Sequence, residues 1–140
     1  HVANLFDGKR QKGSGNGDIA KGDVITKDFL FECKWTSNDY YRLHETTWNK
    51  LCEEAMIKNR IPIFTCCGKQ GIYYCISSMD YNYDYCLISE CDYDNKKSYI
   101  ISVKDNKQPK PITFENSNMV IIMEENFFLN YIENFYLIMP

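Results

Sequence analysis

Gly13–Lys34 reads GSGNGDIAKGDVITKDFLFECK, and the interpretation of the chain turns on whether its second half is a β-hairpin. Gly22–Thr26 carries Val24 and Ile25, Thr26-Lys27-Asp28 has turn composition, and Phe29-Leu30-Phe31 runs into Glu32-Cys33-Lys34. Two short apolar runs about a polar turn predict paired strands, with Asp23 and Glu32 on neighbours. Side chains alternate faces along a strand, so Glu32 and Lys34 share a side and Cys33 turns away. Local sequence alone therefore gathers two carboxylates and an ammonium.

Upstream, Val2–Phe6 reads as the tail of an amphipathic helix that begins before His1, closed by Asp7-Gly8. Lys9–Ala20 is polar, glycine-rich and without hydrophobic period, which predicts a surface loop. Downstream, Trp48, Leu51, Cys52, Ala55 and Met56 recur at three- and four-residue spacing and predict a helix from about Asp39 to Asn59, with Ser37 or Asn38 as its cap. His44 and Glu45 fall near its start, where a capping role is expected, and Glu45 and Lys50 come within reach of the site edge. Arg60–Cys66 is the next strand, with Pro62 near its beginning. A strand–helix–strand passage of this length is a crossover, so Phe29–Lys34 and Ile61–Cys66 are expected to run parallel.

The second half is a series of β-like runs: Ile72–Ser77 after a Gly68–Gly71 turn, Tyr85–Ser89, Ser98–Val103 and Met119–Met123. Pro109-Lys110-Pro111 predicts a loop, and Glu124–Tyr136 a closing helix with Phe127, Phe128, Tyr131, Ile132 and Phe135 on one stripe. The fold class expected is α/β: a mixed sheet flanked by helices, in one domain of 140 residues.

Several function classes are excluded or disfavoured. A net charge of −3 argues against coating nucleic acid by bulk charge, although Lys9, Arg10, Lys12 and Lys21 concentrate around the glycine-rich loop. Mean hydropathy is −0.45 without a long apolar run, so no membrane partner is expected. Seven cysteines in no regular framework, without a signal peptide, predict an intracellular, cytoplasmic protein. Cys66-Cys67, Cys75 and His44 lack zinc-site spacing, so buried thiols are expected. Asp92-Tyr93-Asp94-Asn95 begins like a calcium loop, but Lys96 and Lys97 follow, which predicts a solvated turn. The tyrosines between Tyr73 and Tyr99 are expected to pack on the sheet rather than to stack on bases.

Asp23, Glu32 and the backbone carbonyl of Cys33 are oxygen donors suited to magnesium, which is held by one or two carboxylates and retains several waters. Lys34 beside them can orient or deprotonate a water, or offset charge on a phosphoryl group. The glycine-rich loop lets backbone approach a phosphate; Ser14 adds a hydroxyl, and Lys9, Arg10, Lys12 and Lys21 add charge. Together these predict metal-dependent phosphodiester hydrolysis.

GSGNGDIAKGDV, FLFECKWT, RIPIF and MVIIMEENFFLNYI, in that order, resemble the PD-(D/E)XK nuclease superfamily, and within it the small Holliday-junction-resolvase-like endonucleases of phages and archaea. The resemblance covers residues 1–66 and the closing strand and helix. It implies a restriction-endonuclease-like core, Mg²⁺ or Mn²⁺ on Asp23 and Glu32, Lys34 as catalytic lysine, and Ser14 in the loop contacting the scissile strand. It also implies a homodimer acting on branched DNA, in the host cytoplasm if phage-encoded. Gly22 stands where the family often has proline. The family's first-helix glutamate has no counterpart in residues 1–8, and its place falls upstream of His1. The competing expectations are a nuclease-fold module that binds nucleic acid or protein without cleavage, and a same-fold nuclease acting on linear DNA.

Overall fold

A computed structural model describes residues 9–10, 22–69, 71–81, 92–102, 109–116 and 118–138. The hairpin is present: β2 (Gly22–Ile25) pairs antiparallel with β3 (Phe29–Trp35), and Thr26 closes the turn between them. Its backbone N–H donates to the Phe29 carbonyl at 2.9 Å, and the Phe29 N–H returns a bond to Thr26 Oγ1 at 3.0 Å. β1 (Lys9–Arg10) adds outside β2, so the segment expected to be loop from Lys9 onward starts with a paired strand.

The chain then departs from the expected long helix. Tyr40–His44 is a strand, β4, and helix α1 spans Glu45–Ile57. Tyr41 and Leu43 turn inward while Tyr40, Arg42 and His44 face solvent, a period of two that the helical reading of Trp48–Met56 had absorbed. Ser37 and Asn38 accordingly lie in a turn, where the Asn38 N–H donates to Thr36 Oγ1 at 3.1 Å. Asn59 ends α1, with φ 54° in the left-handed region. The N–H groups of Asn59 and Arg60 donate back to Met56 and Ala55 at 3.1 and 2.8 Å, the bonding of a Schellman turn. β5 (Ile61–Gly68) then runs parallel to β3, as the crossover requires.

β6 (Gly71–Ser77), β7 (Asp92–Lys96), β8 (Ser98–Ser102), β9 (Lys110–Phe114), β10 (Met119–Glu124) and α2 (Glu125–Ile138) complete the elements. Asp92–Asn95 is therefore strand rather than solvated turn. It pairs irregularly with β9, and Asn95 has φ 53°. The loop expected at Pro109–Pro111 gives way to β9 from Lys110 onward. Pro111 is the second residue of that strand, beside the irregular β7, where a missing N–H is tolerated. The expected helix tail at residues 1–8, most of the glycine-rich loop and the run Tyr85–Ser89 lie outside the described residues.

The main sheet has the order β1-β2-β3-β5-β6-β10-β9-β7, with β3–β5 and β7–β9 parallel and the rest antiparallel. β4 and β8 form a separate two-stranded ribbon. One face of the sheet buries Leu30, Phe64, Cys66, Cys75 and Ile122 under Trp48, Leu51 and Ala55 of α1 and under Leu43, Tyr99 and Ile101 of the ribbon. The other buries Val24, Phe31, Cys33, Ile63, Tyr74 and Ile121 under Phe128 and Tyr131 of α2. The apolar stripe of the closing helix thus meets the sheet, with Phe128 stacked on Tyr74 at 4.2 Å. The described tyrosines Tyr73, Tyr74, Tyr81 and Tyr99 are buried by packing, and Cys66 and Cys75 are buried free thiols. Among the described residues no helix is long and apolar enough to cross a membrane.

Among the described residues Thr65 is fully buried, on the α2 side, with a hydroxyl that has no hydrogen-bond partner. Thr65→Val replaces that hydroxyl by a methyl and is expected to raise stability by about 1 kcal/mol, read from the urea midpoint. A loss of stability would mean that the hydroxyl is satisfied.

Candidate functional site

Register decides the site. Asp23 stands directly opposite Glu32 across β2 and β3, and β5 places Phe64 beside Glu32 and Cys66 beside Lys34. Asp23, Glu32 and Lys34 therefore share the face covered by α1 and the ribbon, while the Cys33 side chain is buried on the α2 face. Lys34 Nζ lies 2.9 Å from Glu32 Oε1, with both side chains still partly open to solvent.

The electrostatics follow from two carboxyl groups facing each other in a half-buried place. Burial, a hydrogen bond with Glu32 and the charge of Glu32 push the Asp23 carboxyl up to about 7, with Glu54 adding to the rise and Lys58 opposing it. Burial also raises Glu32, but hydrogen bonds from Asp23 and Lys34, with the charges of Lys34 and Lys50, bring it below the ordinary carboxylate value. The hydrogen-bonded Glu32 carboxylate raises Lys34 against the opposing effect of burial. Lys34 is therefore an ammonium at neutral pH. Of the roles open to it from sequence, orienting a water or offsetting charge fits this state, and removing a proton does not.

Three further residues belong to the surroundings. The Tyr41 ring packs on Phe64 with centroids 5.5 Å apart, which sets it over Glu32 and Lys34. Burial raises its phenol against the lowering influence of Lys34. Glu54 and Lys58 act on Asp23 from the end of α1, and Lys50, Glu54 and Lys58 follow at four-residue spacing. Arg60 fixes that end to the hairpin turn: its Nε donates to the Thr26 carbonyl at 2.8 Å. Tyr41 escaped the sequence reading because it was placed in a helix. The four-residue charge spacing was legible, but which strand it faces was not.

Glu45 does not reach the site. Buried at the start of α1, it accepts bonds from the Asn116 backbone and side-chain N–H groups and from Asn118 Nδ2, each at 3.2 Å, and so ties the helix to the β9–β10 turn. His44 occupies the N-cap position without a side-chain cap bond. Lys9 and Arg10 pair with Ile25 and Val24, which sets their backbone beside β2. Lys12, Ser14 and Lys21 lie outside the described residues.

The chain matches no family model, no curated protein and no solved structure.

The donor set fits a hard divalent cation. Two facing carboxylates, one of them driven toward protonation by burial and by its neighbour, are what a doubly charged ion relieves, and magnesium commonly takes only one or two protein carboxylates. Among the described residues no group of three or more His, Cys, Asp or Glu side chains is arranged to hold a metal; Asp23 and Glu32 are the acidic side chains placed opposite each other here.

A carboxyl with a raised folded-state value favours folding most below the unfolded value of 3.8, and that contribution is lost as pH rises to about 7. The lowered Glu32 works the other way and loses its contribution on acidification. Asp23→Asn keeps a donor for Glu32 and removes the repulsion. In metal-free buffer the variant should gain stability over the native protein as pH rises from about 4 to 7, reaching roughly 1–2 kcal/mol at pH 8 after discounting for solvent exposure. Magnesium should narrow that gap by stabilising the native protein alone. A pH-independent difference would contradict this account.

Proposed function

We propose that the protein is a metal-dependent DNA endonuclease. The observation that carries the reading is the placement of Asp23 directly opposite Glu32, with Lys34 ion-paired to Glu32 on the same face. The order of hairpin, crossover helix and parallel strand supports a restriction-endonuclease-like core, the arrangement implied by the resemblance to PD-(D/E)XK nucleases. Branched DNA as substrate and a homodimer as the acting form follow from that same resemblance. A two-fold pair of sites would address opposing strands.

Asp23, Glu32 and the Cys33 carbonyl would hold Mg²⁺ or Mn²⁺, and the ion would supply positive charge to polarise a phosphodiester. Asp23 must give up its proton to hold the ion, so cation affinity rises with pH up to about 7. Glu32 is ionised throughout the neutral range and positions Lys34 through its 2.9 Å ion pair. The Lys34 ammonium meets negative charge developing on the phosphoryl oxygens and orients the incoming water. Tyr41, packed on Phe64, stands beside the pair. Lys9, Arg10, Lys12, Ser14 and Lys21 are assigned to the DNA backbone.

A binding module without hydrolysis is the second reading, favoured by the presence of two rather than three acidic donors among the described residues. The deciding measurement is cleavage of a labelled four-way junction and of a linear duplex, with and without Mg²⁺. Asp23→Asn, Glu32→Gln and Lys34→Ala are each expected to lower cleavage roughly 100-fold or more while DNA binding persists. Cleavage equal to the native rate in these variants would remove the site assignment. Binding without cleavage by the native protein would establish the module instead, and equal cleavage of both substrates would reject junction specificity.

A further inference from the structure

The ribbon has an outer face that neither the core nor the site uses. Register sets Tyr40 opposite Ser102, Arg42 opposite Ile100 and His44 opposite Ser98. Alternation sends Tyr41, Leu43, Tyr99 and Ile101 into the core and leaves Tyr40, Arg42, His44 and Ile100 exposed. An outer face needs only polar residues to stay in water. This one holds a tyrosine 52% exposed and an isoleucine 53% exposed, flanking an arginine. No outward position of the two strands carries a carboxylate, in a chain of net charge −3. Arg42 Nη1 donates to Ser98 Oγ at 2.9 Å, which holds the guanidinium across the ribbon beside a hydroxyl.

The ribbon is also continuous with the site, because its inward Tyr41 packs on Phe64, the neighbour of Glu32. The ribbon thus covers the same face of the main sheet that carries Asp23, Glu32 and Lys34.

We propose that the outer face of the β4–β8 ribbon is a DNA-contact surface, with Arg42 and Ser98 on the sugar-phosphate backbone and Tyr40 against a base or sugar. The proposal rests on the endonuclease reading for its choice of nucleic acid as partner. Arginine, serine and tyrosine are common phosphate contacts, and an exposed aromatic ring gives sequence-tolerant stacking.

The test is fluorescence anisotropy with a fluorescein-labelled four-way junction and a linear duplex, in EDTA so that binding is separated from cleavage. Arg42→Ala should weaken binding about 10-fold and reduce the salt slope by about one, and Arg42→Glu should weaken it further. Tyr40→Ala should weaken binding roughly 5- to 10-fold with the salt slope unchanged. Circular dichroism and thermal midpoints equal to the native protein's will show that these exposed substitutions leave the fold intact. Native-like binding by all three variants, or no DNA binding by the native protein, would overturn the assignment. Loss of self-association at unchanged DNA affinity would overturn it in favour of a contact between copies. If the native protein binds through Arg42 and Tyr40 yet does not cleave with Mg²⁺, the surface stands and hydrolysis alone falls.

Discussion

The constraint on which the rest depends is the pairing of β2 with β3 that sets Asp23 and Glu32 side by side. Like charges directly opposite in an antiparallel pair oppose folding, and a one-residue slip would send each to the other face. That slip is prevented because Val24 and Phe31 are buried on the α2 side and Leu30 on the α1 side. Apolar burial on both faces thus holds the carboxylates at a spacing they would not choose.

The unfavourable pairing is moderated by what surrounds it. Lys34 neutralises one carboxylate at 2.9 Å, and the other is held near neutral by its raised proton affinity. Lys50 and Lys58 on one side and Glu54 on the other make α1 an electrostatic border rather than a passive cover. Arg60, bonded to the Thr26 carbonyl, keeps that border registered with the hairpin. A pair of acids, a fixed ammonium and a charged helix beside them make this a polar, charged site rather than an apolar pocket.

The ribbon gives the covered face of the sheet two separate properties. Leu43, Tyr99 and Ile101 extend the core, while Tyr41 lies beside Glu32 and Lys34 and Arg42 faces outward. A single strand, β4, therefore links core packing, the site wall and the external surface, each through alternate residues. Its partner β8 comes from far along the chain, so this link depends on a long-range pairing.

The sequence by itself determined the hairpin, the shared side of Glu32 and Lys34 with Asp23 on the neighbouring strand, the parallel crossover to Ile61–Cys66 and the apolar stripe of the closing helix. These rest on local periods of two or near four, which neighbouring residues settle among themselves. Tertiary structure decided what depended on distant partners. Tyr40–His44 became strand by pairing with Ser98–Ser102, Lys110–Phe114 by pairing with Met119–Ile122, and Asp92–Lys96 by lying beside β9. It also moved Glu45 from the site edge to the β9–β10 turn and brought Tyr41, Glu54 and Lys58 to the carboxylates. The physical reason is that strand pairing and charge proximity are set by residues far apart in the chain, which no local spacing specifies.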